Sequence, residues 1–365
     1  MSKAAELAKI GEVATNSQIG GRRNLVINGA MQVAQRGTVT AVANNEYTLD
    51  RFAFTHSQDG AFTVTQDSSA PDGFGNSLKL DVTTVDDSLS ASQYLIMEHK
   101  IEAQNLQQLQ FGKSGAKNIT LSFYVKSNKT GTYGVNIIQS DNSSKIANLT
   151  YTINSADTWE QKSLTFTGDT SGAINDDNGI GLKLGFTLAV GSTWTSGNTS
   201  ASFRAFANGN YGGGHAVNIL DNTSNEWYIT GIQMEVGSQA TPFENRSFGD
   251  ELALCQRYYY HTYSYGSPAG TTFNQDYESP IIIIGTGNHG MGVCNAVYPV
   301  EMRVAPTVSF YGSDGTANRI RYWGGSLAAY GTVNRSTRQI LGMSFDTGTN
   351  PEDFYSAALV CDAEL

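Results

Sequence analysis

Two carboxylate doublets, Asp86-Asp87 and Asp176-Asp177, are where acid–base cleavage of a glycan is first to be sought in this 365-residue chain. Such cleavage takes two carboxyls roughly 5–10 Å apart across the scissile bond. Neighbours on a strand point to opposite faces, so each doublet reads as a solvated turn. Carboxylates brought together across strands stay open as an alternative. The run Asp176-Asp177-Asn178-Gly179 offers oxygen ligands but lacks the spacing of a calcium loop. The five histidines, His56, His99, His215, His261 and His289, are scattered, and neither a Gly-x-Ser-x-Gly elbow nor a His-Glu-x-x-His pair occurs. Gly285-Thr286-Gly287 and Gly290-Met291-Gly292 sit among strand-forming residues rather than before a helix, and read as turns, not phosphate cradles. Cys255, Cys294 and Cys361 are too far apart for a zinc knuckle or a redox pair, so they are expected as free thiols. These residues predict no catalytic set, no metal and no cofactor.

Binding chemistry is better represented. A sugar ring presents an apolar face and a rim of hydroxyls, which suits an aromatic side chain beside amides. Trp194 lies in the Gly-bounded stretch 191–198. Tyr211 lies in the stretch 208–215 with Asn208, Asn210 and His215. Gly-rich loops with aromatic and amide residues make contact surfaces. A third group, Tyr322 and Trp323 with Tyr330, fits a contact site and a subunit interface equally. Trp159 and Trp227 stand at the starts of strand patterns and are expected in the core.

Strands must position these groups. Leu78, Leu80 and Val82 alternate with Lys79, Asp81 and Thr83; Ile119, Leu121, Phe123 and Val125 alternate with Thr120, Ser122, Tyr124 and Lys126. Leu182, Leu184, Phe186, Leu188 and Val190 continue the pattern. Half-buried strands of period two predict an antiparallel sandwich. Turn signals such as Asn128-Lys129-Thr130-Gly131 separate them at sandwich-like intervals. The predicted organisation is mainly β: an N-terminal helical anchor (1–20), an antiparallel jelly-roll sandwich (21–245), a short helical junction (246–263) and a smaller C-terminal β domain (264–365). Residues 103–109 predict a short helical crossover. In the anchor, Leu7, Ile10 and Val13 lie on a weak apolar stripe of a helix over 2–15. Ser247 predicts the cap of the junction helix, with Asp250 and Glu251 in its first turn.

Composition limits the partners. A net charge of −10 without Lys/Arg runs argues against nucleic acid. No stretch of about 18 apolar residues occurs, so no membrane-spanning helix is expected, and no secretory signal is visible at the start.

Three sets of residues carry a resemblance. The first is Asn24-Leu25, Ile27-Asn28-Gly29, Gln35-Arg36-Gly37-Thr38, then Tyr47-Thr48 and Asp50-Arg51-Phe52. The second is Ile229-Thr230-Gly231, Gln233, Glu235, Gly237, Ala240 through Glu244, Arg246, Gly249, Glu251-Leu252 and Cys255 through Tyr259. The third is Pro299, Met302-Arg303 and Pro306-Thr307-Val308. Together they resemble tailed-bacteriophage tail-fibre and appendage proteins with a carbohydrate-binding-module-like jelly roll. The resemblance implies a structural virion protein, a homotrimer, docked on other virion proteins through its N-terminal helix and attaching to a host-surface glycan. Two alternatives stay open: a head fibre or decoration protein with the same fold, and a polysaccharide-degrading tailspike.

Overall fold

The computed structural model describes residues 3, 23–141, 144–273, 282–284, 291–322, 327–346 and 354–365, with backbone only for 282–284, 291–296, 320–322, 327–335, 342–346 and 354–356. The predicted anchor helix with Leu7, Ile10 and Val13 lies outside the described residues, as do Trp323, Ile281, His289 and the Gly285–Gly290 stretch. The described chain forms two compact units. One holds residues 23–32 and 38–246 with Leu365; the other holds 33–37 and the described residues between 247 and 364.

Strands of the first unit are β1 Glu46–Tyr47, β2 Phe52–His56, β3 Ala61–Asp67, β4 Ser77–Thr84, β5 Tyr94–Glu102, β6 Ile119–Ser127, β7 Gly131–Gln139, β8 Lys145–Ile153, β9 Glu160–Phe166, β10 Ile180–Val190, β11 Ser200–Ala205 and β12 Glu226–Val236. They build an antiparallel jelly-roll sandwich. One sheet runs β1-β2-β5-β10-β7-β8-β11, the other β3-β4-β12-β6-β9. A 3-10 helix, Ala103–Leu109, makes the expected crossover and buries Ala103, Leu106 and Leu109. The alternation decides the core. Phe123 on β6 meets Phe186 on β10 at 5.1 Å and Tyr151 on β8 at 5.0 Å, and Phe186 meets Trp227 on β12 at 6.3 Å. Each such fully buried aromatic contributes roughly 2–3 kcal/mol of transfer free energy. Trp227 is in the core as expected. Trp159 is not: it stands half-buried on the outer face of the five-stranded sheet, against Tyr228 at 6.2 Å, because it precedes β9 at the sheet edge.

The resemblance motifs have a mechanical explanation. The carboxylate of Glu244 accepts the backbone N–H groups of Arg23 and Asn24 at 3.0 and 2.6 Å. The Asn24 amide donates to Ile232 O at 3.0 Å, while its Oδ1 accepts Val26 N and Met234 N at 3.0 and 3.1 Å. Glu235 accepts Thr241 N, Thr241 Oγ1 and Gln233 Nε2, and pairs with Arg23 at 3.4 Å. Gly29 is required here, since a Cβ would sit 2.1 Å from Ile232 O. These residues clasp the points where the chain enters and leaves the sandwich.

The second unit opens with the helix Phe248–Gln256. Ser247 caps it by accepting Asp250 N at 3.2 Å, with Asp250 and Glu251 in the first turn, as the sequence predicts; Cys255 and Tyr258 are buried. The loop 33–37 docks on the strand that follows the helix, β13 Tyr259–His261. Gln35 Nε2 donates to Tyr259 O at 2.9 Å, Arg36 lies 3.6 Å over the Tyr259 ring and pairs with Glu364 at 3.1 Å. The Gln-Arg pair of the first motif thus grips the Tyr-Tyr of the second. The remaining strands are β14 Ile282–Ile284, β15 Met291–Val297, β16 Thr307–Tyr311, β17 Arg319–Tyr322, β18 Leu327–Ser336, β19 Ile340–Asp346, β20 Phe354–Ser356 and β21 Ala358–Asp362. They form a three-stranded sheet, β13-β21-β16, and a six-stranded sheet, β14-β20-β17-β18-β19-β15. β16 follows Pro306 and lies at an edge, where a missing N–H is tolerated.

Candidate functional site

The seven-stranded sheet has an inner face of Leu95, Met97, His99, Leu184, Phe186, Val135 and Ile137, fixed by register. The intervening residues, Tyr94, Ile96 and Glu98 on β5, Asn136 and Ile138 on β7, and Ile146 and Asn148 on β8, therefore face outward. This outer face receives the predicted loops, and they are more ordered than expected. Each contains a helical turn, Ser192–Thr195 and Asn208–Tyr211. Gly212 N donates to Trp194 O and Gly197 N to Gly209 O, both at 2.9 Å, so the two turns form one flap.

Trp194 and Tyr211 are brought together, ring centroids 5.6 Å apart and edge to face. Tyr94 joins them at 5.2 Å from Trp194 and 6.2 Å from Tyr211, and Phe206 lies 6.0 Å from Tyr211. Their roles differ. Tyr211 is only 8% exposed, packed on Ile96, Ile138 and Ile146. Its hydroxyl donates to Glu98 at 2.9 Å, and its carbonyl accepts the Asn136 amide at 3.0 Å. Burial, and then Glu98, push its pKa well above the ordinary tyrosine value. Trp194 is half-buried, its indole N–H held by Ser92 O at 2.7 Å, which leaves the ring to act by stacking. Phe206 is 37% exposed and Asn208 is exposed, while Asn210 is half-buried.

His215 corrects the sequence reading. It is buried and structural: its Nδ1 accepts Gly134 N at 3.1 Å, and its Nε2 bonds Val217 O. Burial lowers its pKa to about 4, so it is neutral at pH 7. Tyr211 is likewise the base of the aromatic group rather than its contact surface. The reason is the same for both: the outer face supplies amide and carboxylate partners that draw these polar aromatics inward. Sequence reasoning missed Tyr94 and Phe206. Tyr94 was legible as an outward position in a period-two strand; the proximity of Phe206 depends on the flap.

The other candidates stay apart. Tyr322 lies on β17 and Tyr330 on β18, where the register pairs Tyr330 with Arg319 and Tyr322 with Tyr355. The acid doublets sit in turns. Asp86 accepts Asp59 N at 2.9 Å, and Asp177 accepts Gly179 N at 2.9 Å. Among the described residues no three His, Cys, Asp or Glu side chains gather as metal ligands, and no helix is long and apolar enough to cross a membrane.

A second aromatic surface crosses the five-stranded sheet. Lys79, Tyr228 and Lys126 stand in cross-strand register, and Lys126 lies 4.0 Å from the Tyr228 centroid and 5.4 Å from that of Trp159. Lys79 pairs with Glu226 at 2.6 Å. Tyr228 is 8% exposed, so this row satisfies itself with internal cation–π contacts.

Comparison with protein-family models finds no match, and comparison with curated proteins finds none. Among solved structures, the enzymatically active domain of tailspike protein 4 of bacteriophage CBA120 matches over 58% of this chain at 12% identity and a TM-score of 0.33; the match spans 21% of the length of that chain. The family 11 carbohydrate-binding module of Clostridium thermocellum, in complex with a mixed-linked tetrasaccharide, matches over 56% of this chain and 98% of its own at 12% identity and a TM-score of 0.29. The CBM22-1 xylan-binding domain of Paenibacillus barcinonensis Xyn10C matches over 57% and 100% at 10% identity and a TM-score of 0.28.

Proposed function

We propose that this chain is a non-catalytic, glycan-binding structural part of a tailed-bacteriophage virion, a short tail-fibre or appendage subunit acting as a homotrimer. The observation that carries the binding role is the aromatic group at the flap: Trp194 tied by its N–H, met by Tyr94 and seated on buried Tyr211, which Phe206 also meets, with exposed Asn208 in the same flap. That arrangement offers a fixed ring for a sugar face and an amide for its hydroxyls. The virion role rests on the motif resemblance. The N-terminal segment serves for docking on other virion proteins, and three copies raise avidity where each contact is weak.

The test is binding of the full chain to a panel of bacterial surface polysaccharides, with Trp194→Ala as the comparison. Loss of about tenfold or more in affinity, with the melting temperature retained, is expected from removing a stacking ring. Unchanged binding by Trp194→Ala, or release of reducing ends from the polysaccharide, contradicts the proposal.

A further inference from the structure

We infer that the glycan taken by this flap carries acidic groups, read by Arg204 and Lys183; the inference rests on the glycan-binding reading above. These residues lie in one cross-strand row on the outer face. Lys183 on β10 pairs with Ile138 on β7, Ile138 with Ile146 on β8, and Ile146 with Arg204 on β11. Three interstrand steps of about 4.8 Å set the two cations' backbones about 14 Å apart. Tyr211 packs on the two isoleucines between them.

Arg204 is prepared for an anion. Its Nη2 is held by Asn148 Oδ1 at 2.7 Å and by Asn198 O, both neutral acceptors. Its Nε is buried without an acceptor. A guanidinium held in place by neutral groups keeps its full charge, which a carboxylate or phosphate can complement. Lys145 on the neighbouring strand is different, since Asp169 neutralises it at 2.8 Å. Glu98, on this face, accepts the Tyr211 hydroxyl. Neither Lys183 nor Arg204 has a carboxylate within ion-pair distance among the described residues. Two cations without a carboxylate partner on one face stand out in a chain of net charge −10.

The experiment titrates the full chain with a uronate-bearing bacterial polysaccharide, the same polymer after carboxyl reduction, a phosphate-bearing polysaccharide and duplex DNA. The uronate form, the phosphate form or both should bind about tenfold or more tighter than the reduced form, and the preference should shrink as salt rises. Arg204→Gln should lower acidic-polymer affinity to that of the reduced polymer, with Arg204→Lys retaining part of it. Lys183→Gln, at a half-exposed site, serves if Arg204→Gln fails to fold. Equal affinity for acidic and reduced polymers, with dependence on Trp194 intact, overturns the acidic class and leaves glycan binding standing. DNA bound as tightly as the acidic polymer overturns it in favour of a general polyanion surface. No binding of any polysaccharide overturns both readings.

Discussion

His215 shows how a residue chosen for contact chemistry becomes a pH-dependent support. Its Nδ1 accepts a backbone N–H and burial holds its pKa at about 4, below the ordinary 6.5. The folded state therefore binds fewer protons than the unfolded one. The resulting stability is fully present above pH 6.5 and is lost as pH falls toward 4, by about 3 kcal/mol at most. Urea unfolding at pH 7 and pH 4 should show this loss, and His215→Gln should flatten it; an unchanged slope contradicts the assignment. Tyr211→Phe leaves the buried Glu98 carboxyl without its hydroxyl partner, so chemical denaturation should show a loss of roughly 1–3 kcal/mol. At this scale the sequence revealed that Trp194 and Tyr211 are worth attention. It did not reveal which faces outward, because that depends on Glu98 and Asn136, which reach Tyr211 from distant strands, and on Ser92, which holds the Trp194 indole.

Elements were far more legible. The alternation of Leu78, Leu80 and Val82 is the alternation found in β4, since one buried face imposes period two; β10 departs from it, because residues 184–189 are buried on both faces and a register shift between Thr187 and Ala189 sets Val190 opposite the outward Tyr94. The helix after Ser247 was legible from its cap and first-turn acids. The clasp was not, because Asn24 and Glu244 lie 220 residues apart and their pairing leaves no local pattern. Asn24→Ala removes three buried hydrogen bonds and should cost on the order of 2–3 kcal/mol in calorimetric or denaturant unfolding. A neutral result would mean that the strands close without the clasp. Burial pushes the Glu244 carboxyl up, but the amides of Asn24 and Arg23 and the Arg246 guanidinium outweigh it and hold it below the ordinary range. The clasp's contribution is thus present above the ordinary glutamate pKa and declines as pH falls through the lowered value.

At the scale of the whole molecule, the motif residues with side-chain bonds described above serve the chain's own closure. Glu244, Glu235, Asn24, Gln35 and Arg36 bond within their units, so the residues that carry the resemblance are separate from the flap proposed to touch a glycan. The proposed trimer is tested by sedimentation equilibrium, where the mass of three chains is expected and a single-chain mass contradicts it. The central claim, glycan contact at the flap, is tested most directly by hydrogen–deuterium exchange of the full chain with and without a bound surface polysaccharide. Slowed exchange is expected across residues 191–217 and in β11. Slowed exchange confined to other regions, with the flap unchanged, would contradict it.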